Sequence, residues 1–321
     1  MMSFYVLIFL ACCVLLYFSG EWVIGGLMRM ARFLGWREFV VAFFVMAFAA
    51  SLPNLFIGIT SALHKIPQLS FGDVAGNNLV ALTIAIALAV LISKKELPAE
   101  SRTVQTTSIF TIIAALLPLL LILDGKLSRI DGILLIAFFI FYLFWLFSKR
   151  ERFTKIYDTQ KIPIIKEFKL FLKDLGKLIL GIMLLIIAAQ GIVASAQFFA
   201  KSFDITLVLI GVLITGLGSA LPEIYFAVAS AKRGETWMIL GDLMGAVIVP
   251  ATLVLGIVAL IHPIEISDFS PLAIARFFLI ISALFFPLFC PNRSQNYQKR
   301  GPLFTLNLSH FCFSGNFSWI T

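Results

Sequence analysis

An apolar segment interrupted by a proline and a polar residue occurs twice in this chain, as Ala50-Ser51-Leu52-Pro53-Asn54 and as Ser219-Ala220-Leu221-Pro222-Glu223. Each copy is followed at the same distance by a Gly-Asp-x-x-Gly element, Gly72-Asp73-Val74-Ala75-Gly76 and Gly241-Asp242-Leu243-Met244-Gly245. Pro53 and Pro222, Asp73 and Asp242, and Gly76 and Gly245 all stand 169 residues apart, so the copies align without a gap. A helix in lipid keeps its backbone groups paired internally, and a proline removes one donor and strands the carbonyl four residues back. Such a break is tolerated only where it faces protein, water or an ion. Two breaks at matched places in duplicated halves point to a transporter with its site at the repeat interface.

The remainder of the sequence agrees. With 60% hydrophobic and only 13% charged residues, the chain cannot be an ordinary soluble domain, whose charged share is about a quarter. About 20 apolar residues cross the hydrocarbon core, which marks spans near residues 3–28, 38–64, 70–93, 104–123, 127–148, 170–200, 204–231, 236–262 and 271–290. Of the 25 Lys and Arg residues, 20 fall in alternate loops, which places the protein in a cell membrane with the N-terminus outside and the 149–169 loop in the cytoplasm. Five spans separate the two copies, and an odd number inserts them with opposite orientation. The expected fold is an all-α polytopic membrane protein, an inverted-topology repeat of two five-helix halves with about 9–10 transmembrane helices. Residues 1–148 form the first half, 149–169 a basic linker suited to anionic lipid, and 170–290 the second half. A tenth span is expected after residue 290, yet 291–321 reads as an irregular tail, which a reading-frame change near Cys290 would explain. The N-terminus lacks a basic n-region and cleavage site and reads as a retained first span. The net charge of +8 lies in loops without any nucleic-acid-binding motif, so no nucleic-acid partner is expected. Cys12, Cys13, Cys290 and Cys312 have no Cys-x-x-Cys spacing and read as packing or bystander thiols.

Ionisable residues inside spans mark function, because lipid makes them costly. Glu223 follows Pro222 in mid-span, where a carboxylate can join freed carbonyls around a hard cation; its ordinary structural role would be a protonated Glu bonded within the bundle. Asn54 holds the matching place in the first half and offers a neutral oxygen. Asp73 and Asp242 sit near the starts of their spans, where an Asp commonly caps a helix. Helical spacing nevertheless places each one turn from an inward stripe through Asn77 and Ala81, or Ala246 and Pro250. Ser51, Asn77, Asn78, Thr215 and Ser219 are further oxygen donors, although membrane serines often bond back to their own helix. His64 and Lys65, at a span end, read as snorkelling residues.

These motifs resemble those of the cation/Ca²⁺ exchanger superfamily, specifically the prokaryotic sodium/calcium exchangers, whose repeats carry Gly-Thr-Ser-Leu-Pro-Glu followed by Gly-Asn-x-x-Gly-Ser-Asn. Ala49-Ala50-Ser51-Leu52-Pro53-Asn54 and Gly218-Ser219-Ala220-Leu221-Pro222-Glu223 are similar to the first motif, and Gly72 to Asn78 and Gly241 to Val247 to the second. Ser19-Gly20-Glu21-Trp22, Ala31-Arg32 and Asp131-Gly132 also match, and the likeness covers about residues 1–290. The resemblance implies a secondary antiporter moving Ca²⁺ or another cation against Na⁺, with no cofactor and with Glu223, Asn54, Ser51, Asn77, Ser219, Asp73 and Asp242 around the ions. The family binds Ca²⁺ between two glutamates, one per repeat. Here Asn54 replaces one of them, Ala81 and Pro250 replace further ligands, and a typical centre's three carboxylates fall to Glu223 alone unless Asp73 and Asp242 reach inward. A single carboxylate suits Na⁺ or H⁺ better than Ca²⁺. Cation/H⁺ exchange through Glu223 and a transport-inactive membrane scaffold are therefore the competing readings. An enzyme is not expected, since no Ser-His, paired-Asp or His-Glu-x-x-His set lies at membrane depth, and no P-loop for ATP appears.

Overall fold

A computed structural model describes residues 1–33, 47–93, 102–148, 164–233, 236–266 and 270–285. The described residues are almost entirely helical: α1 (Met2–Phe33), α2 (Ala47–Ala50), α3 (Leu52–Leu63), α4 (Gln68–Val80), α5 (Ile86–Ile92), α6 (Arg102–Leu121) and α7 (Arg129–Ser148) precede the midpoint. After it come α8 (Ile164–Phe203), α9 (Leu207–Ile210), α10 (Gly216–Ser219), α11 (Leu221–Arg233), α12 (Thr236–Val249), α13 (Leu255–Ile261) and α14 (Ser270–Phe285). Among the described residues, seven helical stretches are long and apolar enough to cross a membrane, and Leu52–Leu63 is a shorter apolar helix.

One boundary differs from the sequence reading. The helix of the sixth span already includes Ile164, inside the 149–169 linker, because Ile164, Ile165, Phe168 and Phe171 recur at helical spacing ahead of the apolar run. Helix α14 covers the described part of the ninth span. Residues 38–46, 149–163 and 286–321, which include the start of the second span, most of the linker, Cys290, Cys312 and the tail, lie outside the described residues.

The duplication is visible in the backbone irregularities. Ser51 separates α2 from α3 and Ala220 separates α10 from α11, each a one-residue interruption before Pro53 or Pro222, at the repeat offset. Two five-residue π-helical segments, Ala81–Ala85 between α4 and α5 and Pro250–Val254 between α12 and α13, obey the same offset. A third, Gly211–Thr215, joins α9 to α10. Each π segment inserts a residue into a helix and locally widens it, a feature that concentrates at functional sites.

Inversion of the repeats follows from one small ribbon. Strands β1 (Lys126–Leu127) and β2 (Ile264–Glu265) pair antiparallel, with Lys126 opposite Glu265 and Leu127 opposite Ile264. The Gln68 side chain at the start of α4 donates to the Glu265 carbonyl at 3.0 Å. The turn before α4 and the loop after α13 thus share one membrane face. Because α12 and α13 together cross the membrane, the start of α12 lies on the other face, although it is the repeat equivalent of the start of α4. The halves are related by an axis in the membrane plane. Leu127 and Ile264 are fully buried, while Lys126 Nζ and Glu265 Oε1 form an exposed ion pair at 2.7 Å. That ammonium holds the Glu265 carboxyl below its usual range. His64 and Lys65 end α3 in the same region, Lys65 taking a left-handed conformation (φ 61°) while the Ile66 amide reaches back to the Ser61 carbonyl, a helix-ending motif.

Helices α1 and α8 pack along one another as a flanking pair, with Tyr5 stacked on Phe198 at 4.0 Å. The centre is tighter. Helix α4 crosses α9, α10 and the Gly211–Thr215 segment backbone to backbone. A side chain added at Gly211 would come within 2.7 Å of the Gly72 Cα, and one at Gly216 within 2.8 Å of the Gly76 Cα. Small residues thus bring the two halves into direct contact where lipid offers no hydrophobic drive for association.

Candidate functional site

The one-residue break at Ser51 places Asn54 on the first turn of α3, fully buried. Asp73 is not a helix cap: it lies well inside α4, whose N-cap is Pro67, and is itself fully buried. The two side chains meet, and both contact the second repeat. Asn54 Nδ2 donates to Asp73 Oδ2 at 3.0 Å and to Ser219 Oγ at 3.1 Å, and Ser219 Oγ donates to Asp73 Oδ1 at 3.0 Å. Both amide hydrogens of Asn54 are used and both Asp73 oxygens accept, which fixes the amide orientation. Asn54 Oδ1 is left buried with no partner.

The equivalent place in the second repeat is built differently. Glu223, one residue past Pro222 in α11, is fully buried and neither carboxylate oxygen has a partner. Asp242 lies in the interior of α12, buried, with Oδ2 likewise unpartnered. Glu223 is within Coulombic reach of both Asp242 and Asp73. The sequence left the centre with Glu223 alone unless Asp73 and Asp242 reach inward, and both lie buried in the interior of their helices rather than at a solvent end.

Asn77 and Ala246, equivalent residues of the two repeats, touch across the pseudo-two-fold axis. Pro250 carries no amide hydrogen, so the Ala246 carbonyl loses its helical donor, and Asn77 Nδ2 bonds that carbonyl at 3.3 Å. Pro250 does not simply delete a ligand; it opens a backbone acceptor to the other half. The Oδ1 atoms of Asn77 and Asn78 remain buried without partners. Thr215 bonds back to Gly211 at 3.0 Å, the usual habit of a membrane hydroxyl. Ser51 occupies the break itself, and its carbonyl accepts the Leu55 amide at 3.0 Å. The three π segments have no sequence signature and were not anticipated; Pro250, at the start of one, was the only clue.

An unpartnered buried polar atom costs about 1–3 kcal/mol, and more if charged. Six such oxygens on Asn54, Asn77, Asn78, Glu223 and Asp242 have no protein partner, a cost that a bound cation would relieve. Among the described residues, no three His, Cys, Asp or Glu side chains converge as a metal cage. The oxygens suit a hard cation held by carboxylates mixed with amides.

A duplicated, inverted bundle with broken helices around buried carboxylates defines a polytopic ion transporter. The family model described as sodium/calcium exchanger protein matches residues 4–148 and 173–312, and the chain belongs to that family. The match runs past residue 290, where the sequence likeness was read to end. The inner membrane protein YrbG of Escherichia coli is 26% identical over 289 residues, covering 87% of this chain and 86% of that protein. The sodium/calcium exchanger MaX1 of Methanosarcina acetivorans is 23% identical, covering 82% and 85%. A solved structure of the sodium-calcium exchanger NCX_Mj, soaked with Na⁺ and Sr²⁺, superposes with a TM-score of 0.61 at 25% identity, covering 90% of this chain and 92% of that one.

Proposed function

We propose that this protein is a secondary active antiporter that moves Ca²⁺ across the membrane against a Na⁺ gradient by alternating access. The ions pass between the two helix breaks, in contact with Glu223, Asp242, Asn54 and Asn77, with Ser51, Ser219 and Asp73 supporting them. One observation carries this reading: a fully buried glutamate with no partner on either oxygen, beside a proline break, at the interface of two inverted repeats. Asp242 and Asp73 both lie within electrostatic reach of Glu223, which favours a divalent substrate over the monovalent reading. The flanking pair α1 and α8 moves against the central helices, the N-terminus faces outward and the basic 149–169 linker lies on the cytoplasmic side.

Purified protein in proteoliposomes tests it. Uptake of radiolabelled Ca²⁺ driven by an outward Na⁺ gradient is expected. Uptake that follows a proton gradient and ignores Na⁺ would establish cation/H⁺ exchange instead, and no uptake under any gradient would leave the scaffold reading.

A further inference from the structure

Resting on the antiporter reading, we propose that both carboxylates that grip the divalent cation come from the second repeat, Glu223 and Asp242, while Asp73 of the first repeat is a brace that does not touch it. The argument is an accounting of donors. Asp73 is saturated: Asn54 Nδ2 holds one oxygen and Ser219 Oγ the other, each at 3.0 Å. Applying the 169-residue offset to those two donors shows what surrounds Asp242. The counterpart of Asn54 is Glu223, which has no N–H to give, and the counterpart of Ser219 is Ala50, which has no hydroxyl.

The donors that satisfy Asp73 are therefore absent around Asp242 by sequence, and its Oδ2 and both Glu223 oxygens lack partners at near-complete burial. Two like-charged, donor-free groups in a dry region need a cation between them. Their two formal charges balance one Ca²⁺ or Sr²⁺, and the first repeat adds neutral amide oxygens from Asn54 and Asn77. The site is lopsided: charge from one half, dipoles from the other.

Isothermal titration of the full-length protein in detergent with Ca²⁺, and separately Sr²⁺, distinguishes the roles. Asp242→Asn and Glu223→Gln are each expected to weaken binding at least tenfold, whereas Asp73→Asn is expected to stay within about threefold while lowering the melting temperature. Wild-type affinity in Asp242→Asn, or a tenfold loss in Asp73→Asn, would overturn the assignment. If Asp242→Asn does not fold, the Asp73→Asn affinity decides alone. A wild-type protein that neither binds nor moves a cation overturns the antiporter reading itself, a result unlike either of these.

Discussion

Replacing Gly72 with alanine tests the backbone contact on which the centre depends. A Cβ there would run into the Val208 carbonyl oxygen, and would lie 2.8 Å from the Gly211 Cα and 3.0 Å from the Val208 carbonyl carbon. Carbon contacts settle at about 3.5–4.0 Å, so α4 and the Gly211–Thr215 segment would have to part by roughly 1 Å. The obstructing atoms are backbone and cannot rotate away. Overpacking costs about 1–3 kcal/mol, and this site belongs at the upper end. Alanine also stiffens a helix relative to glycine by about 0.5–1 kcal/mol, leaving a net loss of about 2 kcal/mol. Gly176, in the same kind of helix but with no atom near a built Cβ, supplies the control, since Gly176→Ala keeps only the gain of about 0.5–1 kcal/mol. The two variants should shift the melting temperature of the detergent-solubilised protein in opposite directions. Gly72→Ala melting at or above Gly176→Ala would refute the tight crossing.

Glu223→Gln keeps shape but removes charge, and is expected to abolish Na⁺-driven Ca²⁺ uptake while the elution profile and melting temperature stay near wild type; undiminished uptake would place the site elsewhere. Asn54→Glu should destabilise the protein, because it removes both donors to Asp73 and Ser219 and sets two carboxylates together. Asn54→Glu with Asp73→Asn transposes charge and amide within the pair, so a double-mutant cycle should show a favourable coupling of about 2 kcal/mol, and additivity would mean the pair does not interact. Lys126 keeps the Glu265 carboxyl below its ordinary value, so the ribbon's ion pair is present at neutral pH and is lost as pH falls through that depressed value. Lys126→Met should therefore melt slightly below wild type at pH 7 and low salt, and the difference should vanish on acidification or in high salt; a difference that persists in acid would assign the effect to packing instead.

The sequence carried the architecture in its 169-residue offset, because a proline and a glycine leave marks in the backbone that need no tertiary context. Ser51 and Ala220 break where those marks predict. The partners of Asp73 were not legible: Ser219 lies 146 residues away, and no local pattern states that contact. An Asp early in an apolar span reads equally as a cap or a ligand, and only the true start of α4 at Gln68, set by the left-handed turn at Lys65, places it inside the helix. Local pattern is equally silent on Pro250. Its missing amide suggested a lost ligand, yet the freed carbonyl it creates is bonded by a side chain from the other half of the chain.

The paired π segments also bear on the symmetry of the site. Ala81–Ala85 and Pro250–Val254 occupy the same position in the two halves, although their sequences share only the central Thr83 and Thr252 and one is opened by a proline while the other is not. A π segment is the trace of a single inserted residue in a helix. The widening stands at matched places in both halves and so survives the inversion, whereas Asn54 against Glu223 and Ala50 against Ser219 do not: the frame is symmetric and the chemistry hung on it is not.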